Sequence, residues 1–201
     1  MTKVYEIREG FDFTSALPGL LAQLPQWRME QALRFRKDID RFLCAKSFLM
    51  LEEMLRERWG QDLRMEFSYG SNGKPYLCGH PDIFFSISHC SKGIACAVSD
   101  SPVGVDIEEI QYDRDVACQV LNAGELAELE RSEEPDVCFT VIWTRKESYL
   151  KLTGEGLRDN MKDVLPPVGK VRFETEVNRP AAYVLTLAQS SEKDGALASE
   201  L

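Results

Sequence analysis

Val103-Gly104-Val105-Asp106-Ile107-Glu108 is the stretch on which the reading of this chain turns. Valine and isoleucine favour the extended chain, and the side chains of a strand alternate between its two faces. Asp106 and Glu108 then share one face, while Val105 and Ile107 enter a core. Two carboxylates held side by side repel, so one resists ionisation unless a cation lies between them. A hard cation such as Mg²⁺ answers that need, because it takes oxygen ligands and asks the protein for only a few. The pair equally suits two exposed acids on an edge strand, so the neighbouring segments have to decide.

Downstream, Asp136 is expected to cap a helix over Val137 to Thr153, with Gly154 as its C-terminal stop. Phe139, Ile142, Trp143, Lys146, Glu147 and Leu150 fall on one stripe of that helix at helical spacing. Its first three members suit a core. Lys146 and Glu147 then interrupt the face, and buried charges of this kind must open into a polar cleft or carry a heavy desolvation cost. Lys151 follows Glu147 by one turn and reaches the same cleft. The plainer alternative is a Glu147–Lys151 surface pair, worth only a few tenths of a kcal/mol.

Upstream, Ile83 to His89 reads as a strand that turns polar at Ser88 and His89. Ile94 to Val98 returns as its hairpin partner across Cys90 to Gly93. The turn at Ser99 to Pro102 delivers the chain into the Asp106/Glu108 strand. Before the hairpin, Gly70 to Gly73 is a turn that leads to Lys74-Pro75-Tyr76-Leu77, and His80 reads as a turn residue. Further strands are expected at Lys3 to Arg8, Leu63 to Tyr69, Lys170 to Val177 and Ala181 to Leu187, the last two as an antiparallel pair. Helix-forming sequence runs from Gln26 to Arg58, divided by Asp38 as an N-cap and stopped by Gly60. A second helix is read over Val116 to Glu130 after a loop from Ile110, with Asn122 and Gly124 weakening it, and Gln189 to Leu201 reads as a frayed tail. Arg28, Arg34, Arg36, Lys37 and Arg41 gather positive charge near the first helical break. They suit either a phosphate contact or a solvated helix face.

The 201 residues suit one large domain or two small, closely joined halves, and a 44% hydrophobic content supplies a sizeable core. A net charge of -9 and a pI near 4.9 argue against general binding to nucleic acid or anionic membranes. The six cysteines include no C-x-x-C pair, which argues against zinc. No apolar run approaches the roughly 20 residues that span a bilayer, and Met1 to Gly10 does not read as a secretory signal. A reducing cytoplasm is the expected compartment.

Three pieces stand together in order: Phe85-Ser86-Ile87-Ser88-His89, Gly104-Val105-Asp106-Ile107-Glu108, and Trp143-Thr144-Arg145-Lys146-Glu147-Ser148-Tyr149-Leu150-Lys151 with Gly154 behind it. With Gly73-Lys74-Pro75-Tyr76 upstream, the set closely resembles the 4′-phosphopantetheinyl transferases of the Sfp type. The resemblance implies an α+β fold of two pseudo-twofold-related α/β halves, residues 1–101 and 102–201, with the active site in the cleft between them. It implies transfer of the phosphopantetheine arm of coenzyme A to a serine of an apo-carrier protein, with release of adenosine 3′,5′-bisphosphate. Asp106, Glu108 and Glu147 would hold Mg²⁺, with Glu147 also a candidate base for the serine hydroxyl. Lys151 would neutralise developing phosphate charge, and Lys74, Ser88 and His89 would hold the nucleotide, His89 near the 3′-phosphate. Lys146 would reach a carboxylate or a phosphate, and Glu125 would support the metal acids. Coenzyme A and a carrier domain are the expected partners of a monomer that binds neither nucleic acid nor membrane. Two alternatives differ in kind: a metal-dependent phosphatase or nuclease with a water nucleophile, and a non-catalytic module that binds coenzyme A or a carrier. The second is expected to lack one of the three carboxylates, and all three are present.

Overall fold

A computed structural model describes residues 1–156, 160–166 and 169–190. In chain order its elements are β1 (Thr2–Glu6), α1 (Phe13–Leu21), α2 (Gln26–Leu33), α3 (Asp38–Trp59), β2 (Phe67–Tyr69), β3 (Pro75–Leu77), β4 (Phe84–Cys90) and β5 (Gly93–Ser99), followed by β6 (Val103–Glu109), α4 (Arg114–Val120), α5 (Ala123–Arg131), α6 (Pro135–Thr153), β7 (Val171–Asn178) and β8 (Tyr183–Ser190). The fold is α+β. One antiparallel sheet has the order β1-β5-β4, a second has the order β6-β8-β7, and β2-β3 is a short hairpin.

Each large sheet has a long helix laid on it. Phe42, Leu43, Leu51, Met54 and Leu55 of α3 bury against Phe85, Ile94, Cys96 and Val98 of the first sheet. In the second sheet, Val103, Val105 and Ile107 point to one side, where they pack with Ala95, Ala97, Tyr183 and Leu185. The alternation expected of the strand therefore holds, and the even-numbered face is free to meet α6. A side chain at Gly104 is impossible there: an added Cβ would lie 1.9 Å from the Ser148 carbonyl oxygen and 2.5 Å from the Leu152 nitrogen. Only glycine lets strand and helix approach so closely. Thr186, opposite Asp106 in the β6–β8 register, shares hydrogen bonds with Thr144 of α6 (2.8 Å) and Thr175 of β7 (3.1 Å). These hydroxyls fix the helix over the sheet where an all-aliphatic contact would allow sliding.

Several boundaries differ from the sequence expectation for identifiable reasons. Helix α1 contains Pro18, which reads as punctuation; the Asp12 carboxylate caps its start by accepting from Ser15 N at 3.1 Å. The stretch Val116 to Glu130 is two helices. Asn122 accepts from Gly124 N and Glu125 N, and the Glu125 carboxylate accepts from Asn122 N, so a capping box restarts the chain as α5. Helix α4 already begins at Arg114 because the Asp113 side chain caps it. Helix α6 opens with Pro135 at its first position and Glu134 at the cap, placing Asp136 inside the first turn. Lys37, one residue earlier than expected, is the cap position of α3. Strand β8 extends to Ser190, and Gln189 pairs with both Val103 and Arg172, so the tail does not begin at Gln189. The rest of the expected tail lies outside the described residues. No described helix is long and apolar enough to cross a membrane, and all six cysteines are free.

Candidate active site

Strand β6 pairs with β8 along one edge, and its other edge meets β4 through side chains. Val105 N donates to Ser86 Oγ at 3.0 Å, and two residues along, Ser88 Oγ donates to Asp106 Oδ1 at 2.7 Å. The period of two in a strand puts both serines on the side that faces β6. Ser86 is a contact that the strand's polar end at Ser88 and His89 does not announce; its spacing of two from Ser88 is the signal that marks it. Asp106 is only 1% exposed. Lys151 Nζ, arriving from α6, donates to Asp106 Oδ1 at 2.6 Å and to Ser88 Oγ at 2.8 Å. Lys151 thus forms its ion pair across to the strand, in place of the plain surface pair with Glu147. Asp106 Oδ2 is buried and, among the described residues, has no hydrogen-bond partner. A buried carboxylate oxygen without a donor costs about 1–3 kcal/mol or more, which calls for a ligand to satisfy it.

The neighbouring acids carry the same signature. Burial, reinforced by the charges of Asp106 and Glu147, pushes the Glu108 carboxyl up to about 7, against the pull of Lys151 and the Trp143 indole. Burial and the Asp106 charge also raise Glu147, again opposed by Lys151. Lys151 is, among the described residues, the cation that opposes the shifts of both Glu108 and Glu147. Among the described residues, no group of three or more His, Cys, Asp or Glu converges as a ready-made metal cage. The donor set fits Mg²⁺ all the same, because Mg²⁺ commonly takes one or two carboxylates and fills its remaining positions with substrate phosphates and water.

A stability measurement follows from Glu108. Its pKa is about 7 folded against 4.5 as a free side chain. Between those values the folded chain holds a proton that the unfolded chain has released, so unfolding free energy falls as pH rises. The metal-free protein should therefore lose about 3 kcal/mol across that window from this group, with no further loss above it. Urea unfolding of the wild type and Glu108→Gln at several pH values checks this: the difference between them should grow from acid to neutral pH. Parallel profiles would mean that Glu108 titrates normally.

Glu147 and Lys151 line a cleft of about 330 Å³ together with Asn72, Lys74, Phe85 and Gly156, among others. The Gly70–Lys74 turn is tied to the end of α6: Lys74 Nζ donates to the Leu152 carbonyl at 2.9 Å, and Asn72 Nδ2 to the Gly154 carbonyl at 3.2 Å. Lys74 so caps a helix terminus, and burial lowers its pKa to about 8. Gly154 closes α6 with a φ of 77°, and the Lys74 stem lies 3.0 Å from where a Cβ would stand. His89 is solvent-accessible at the end of β4. The protein around it and Lys151 nevertheless lower its pKa, against Asp40 and Asp106.

Two expected site residues lie elsewhere. Lys146 is fully buried on another side of α6. Its ammonium donates to the carbonyls of Val120 (3.0 Å), Met161 (2.8 Å) and Lys162 (3.2 Å) and pairs with Glu125 at 2.8 Å. The carboxylate it reaches is Glu125, so neither residue faces the Asp106 cluster, and the pair has a structural part. A strip from apolar to charged on one helix cannot reveal that a second, separate polar pocket receives one of the charges. The rest of the stripe behaves as expected: Phe139, Ile142 and Leu150 are buried, and Trp143 is half-buried beside Phe139 with ring centroids 6.4 Å apart. In the basic cluster, Arg28 donates to Gln31 and to the Cys44 carbonyl, and Arg41 to Asp38 and to the Phe35 carbonyl. Arg34, Arg36 and Lys37 are exposed.

Residues 102–193 match the family model of the 4′-phosphopantetheinyl transferase superfamily. A 4′-phosphopantetheinyl transferase of Bacillus subtilis is 27% identical over 181 residues, 86% of this chain and 80% of its own length. The 4′-phosphopantetheinyl transferase Sfp of Bacillus subtilis strain 168 is 30% identical over 167 residues, covering 79% of this chain and 74% of Sfp. The transferase AcpT of Salmonella typhimurium is 40% identical over 95 residues, 44% of this chain and 50% of AcpT. The shared segment of the superfamily match contains β6 and α6, the two elements that Gly104 presses together.

Proposed function

The chain belongs to the 4′-phosphopantetheinyl transferases, and from that premise we propose that it transfers the 4′-phosphopantetheine arm of coenzyme A to a serine of an apo-carrier protein. Adenosine 3′,5′-bisphosphate is the other product. The observation that carries the site assignment is the buried Asp106 Oδ2, unpartnered among the described residues, beside two acids whose pKa values are raised. Such a site suits a substrate that arrives with its own anionic pyrophosphate and a divalent cation. A non-catalytic binding module gives no reason for keeping three costly acids together. A phosphatase or nuclease is disfavoured by the family and, for the nuclease, by the net charge of -9.

Asp106, Glu108 and Glu147 are the residues that would hold Mg²⁺. Bound there, the cation would polarise the phosphate under attack and offset charge on the leaving group. The carrier serine is the nucleophile, so the protein needs a base and cationic groups, and no nucleophile of its own. Glu147 suits the base: burial raises its pKa, and a raised carboxylate takes a proton more readily near neutral pH. Lys151 spends two N–H groups on Ser88 and Asp106. An ammonium has three donors, and the third is available to a phosphate oxygen. Lys74 spends one on Leu152 and keeps two. An anion brought beside its half-buried amine would favour the charged form. His89 stands at the exposed end of β4, where a terminal phosphate would be met.

The finer architecture is part of the same reading. Residues 1–101 supply the sheet β1-β5-β4 with α3, and residues 102–201 the sheet β6-β8-β7 with α6. Two three-stranded antiparallel sheets, each with one long helix, support two pseudo-twofold-related halves with the site between them. Six free cysteines suit a reducing cytoplasm, and a monomer that binds neither nucleic acid nor membrane completes the proposal.

Incubating the protein with coenzyme A, Mg²⁺ and several purified apo-carriers tests the activity. Mass spectrometry should find one carrier serine bearing the arm and an equal amount of adenosine 3′,5′-bisphosphate. Release of phosphate or nucleotide without any carrier modification would contradict the assignment. In the same assay, Glu147→Gln should slow transfer by at least about 100-fold, or 2.7 kcal/mol of barrier. Wild-type turnover in that variant would remove Glu147 from both of its roles.

A further inference from the structure

The face of β6 turned away from the acids ends at the β4–β5 hairpin. Side chains of a strand alternate between its faces, so Glu109 follows Val105 and Ile107, away from Asp106 and Glu108. Val105 and Ile107 pack with Ala95 and Ala97 of β5. Glu109, one step beyond, meets the hairpin tip: its carboxylate accepts from Ser91 Oγ and pairs with Lys92 Nζ at 3.2 Å. Ser91 and Lys92 are the turn between Cys90, the end of β4, and Gly93, the start of β5. Gly93 lets this tip lie close: a Cβ there would stand 2.9 Å from the Tyr5 carbonyl oxygen and 3.3 Å from Ile107 Cδ1. The Lys92 carbonyl accepts from Ile7 N at 2.8 Å. The tip is therefore held from the β1 side by backbone and from β6 by the Glu109 side chain. Ser88 and His89, which the transferase reading gives to the nucleotide, stand just before this turn.

We propose that Glu109 is a positioning residue for coenzyme A: by holding Ser91 and Lys92 it sets the hairpin tip, and with it Ser88 and His89, against the strand that carries the metal acids. The proposal rests on the transferase reading of the site and deepens it. One strand then serves nucleotide and cation together. Its even-numbered face presents Asp106 and Glu108, and its odd-numbered face anchors the turn beside them. The fold has another tie at this end: Glu6 accepts from Tyr183 OH and Asn178 Nδ2 of the second sheet, both at 3.1 Å. Loss of Glu109 should therefore free the tip without parting the sheets. The Lys92 and Glu109 side chains are 34% and 38% exposed, and exposed ion pairs contribute little to stability, so urea unfolding should barely change.

Calorimetric titration with coenzyme A and Mg²⁺ tests this, with transfer kinetics alongside. Glu109→Ala should raise the Kd and the KM for coenzyme A about fivefold, the scale of one exposed pair, with kcat within about twofold of wild type. Glu109→Gln keeps an acceptor for Ser91 and should bind coenzyme A nearly as wild type does. If Glu109 acted only through its charge beside a phosphate ligand, both variants would bind more tightly, and that result would overturn the proposal. Ser91→Ala should match Glu109→Ala, and the double variant should be no weaker than either, because contacting partners are not additive. Additive losses, or wild-type affinity in Glu109→Ala, would also overturn it. His89→Ala is the control for the underlying reading. It should weaken coenzyme A binding, and Glu109→Ala should then cost less than it does in the wild-type chain. If His89→Ala binds coenzyme A as wild type does, the nucleotide reading of the hairpin end falls and the positioning role with it. A loss in His89→Ala with none in Glu109→Ala removes only Glu109. Urea unfolding monitors the fold of each variant.

Discussion

Asp106→Asn should reduce carrier modification by at least about 10³-fold, roughly 4 kcal/mol of barrier, while leaving the protein folded. Asparagine keeps the shape and an oxygen for Ser88 and Lys151 to hold, and loses the charge. The wild-type Asp106 charge raises the pKa of both Glu108 and Glu147. Removing it relieves both, so unfolding free energy in urea at neutral pH should hold or rise as transfer disappears. An acid kept for catalysis at a cost in stability behaves in this way. An acid kept for the fold does the reverse. A variant with more than about a tenth of wild-type turnover, or one that unfolds, would therefore contradict the role given to Asp106.

Gly104→Val should be the most damaging substitution on β6 outside the acids. Its Cβ would stand 1.9 Å from the Ser148 carbonyl oxygen and 2.5 Å from the Leu152 nitrogen, both backbone atoms of α6. No rotamer change relieves a clash with backbone, so α6 must lift off the sheet. Overpacking costs typically about 1–3 kcal/mol and more when rigid elements collide. A loss at the top of that range corresponds to a fall of about 6–12 °C in Tm for a chain of this size. Activity should fall further than stability, because α6 carries Glu147 and Lys151 to the cleft. Gly19→Ala is the control: nothing lies within 4 Å of its added Cβ in helix α1. Thermal unfolding should show that variant level with wild type or above it, since alanine is the better helix former. Equal Tm values for wild type and Gly104→Val would mean that β6 and α6 do not touch as described.

Much of this was legible in the sequence, for physical reasons that differ by element. The β6 alternation and the α6 stripe survive because one buried face forces a strong periodicity. The direct pairing of Lys151 with Asp106 is added by the structure, since spacing alone sends Lys151 only to the cleft of Glu147. The division of Val116 to Glu130 was hidden because Asn122 reads as a weak helix residue until its capping box with Glu125 is seen. Helix α1 was hidden by Pro18. Lys146 shows a deeper limit. Sequence spacing places a charge on a helix face, but only the packed structure reveals that the carbonyls of Val120, Met161 and Lys162 converge on it. The role of Gly104 was equally invisible, since a glycine in a strand signals a close approach without naming the partner. The partner is α6.

A crystal structure with coenzyme A and Mg²⁺ tests the central claim most directly. The account predicts Asp106 Oδ2 within Mg²⁺ coordination distance, about 2.1 Å, with Oδ1 still held by Lys151. Glu108 and Glu147 should reach the same ion directly or through one water, and the pyrophosphate should lie in the cleft between Lys74 and Lys151. A pyrophosphate bound away from β6, or an ion more than about 5 Å from all three carboxylates with no bridging water, beyond any Mg²⁺ coordination distance, would contradict it.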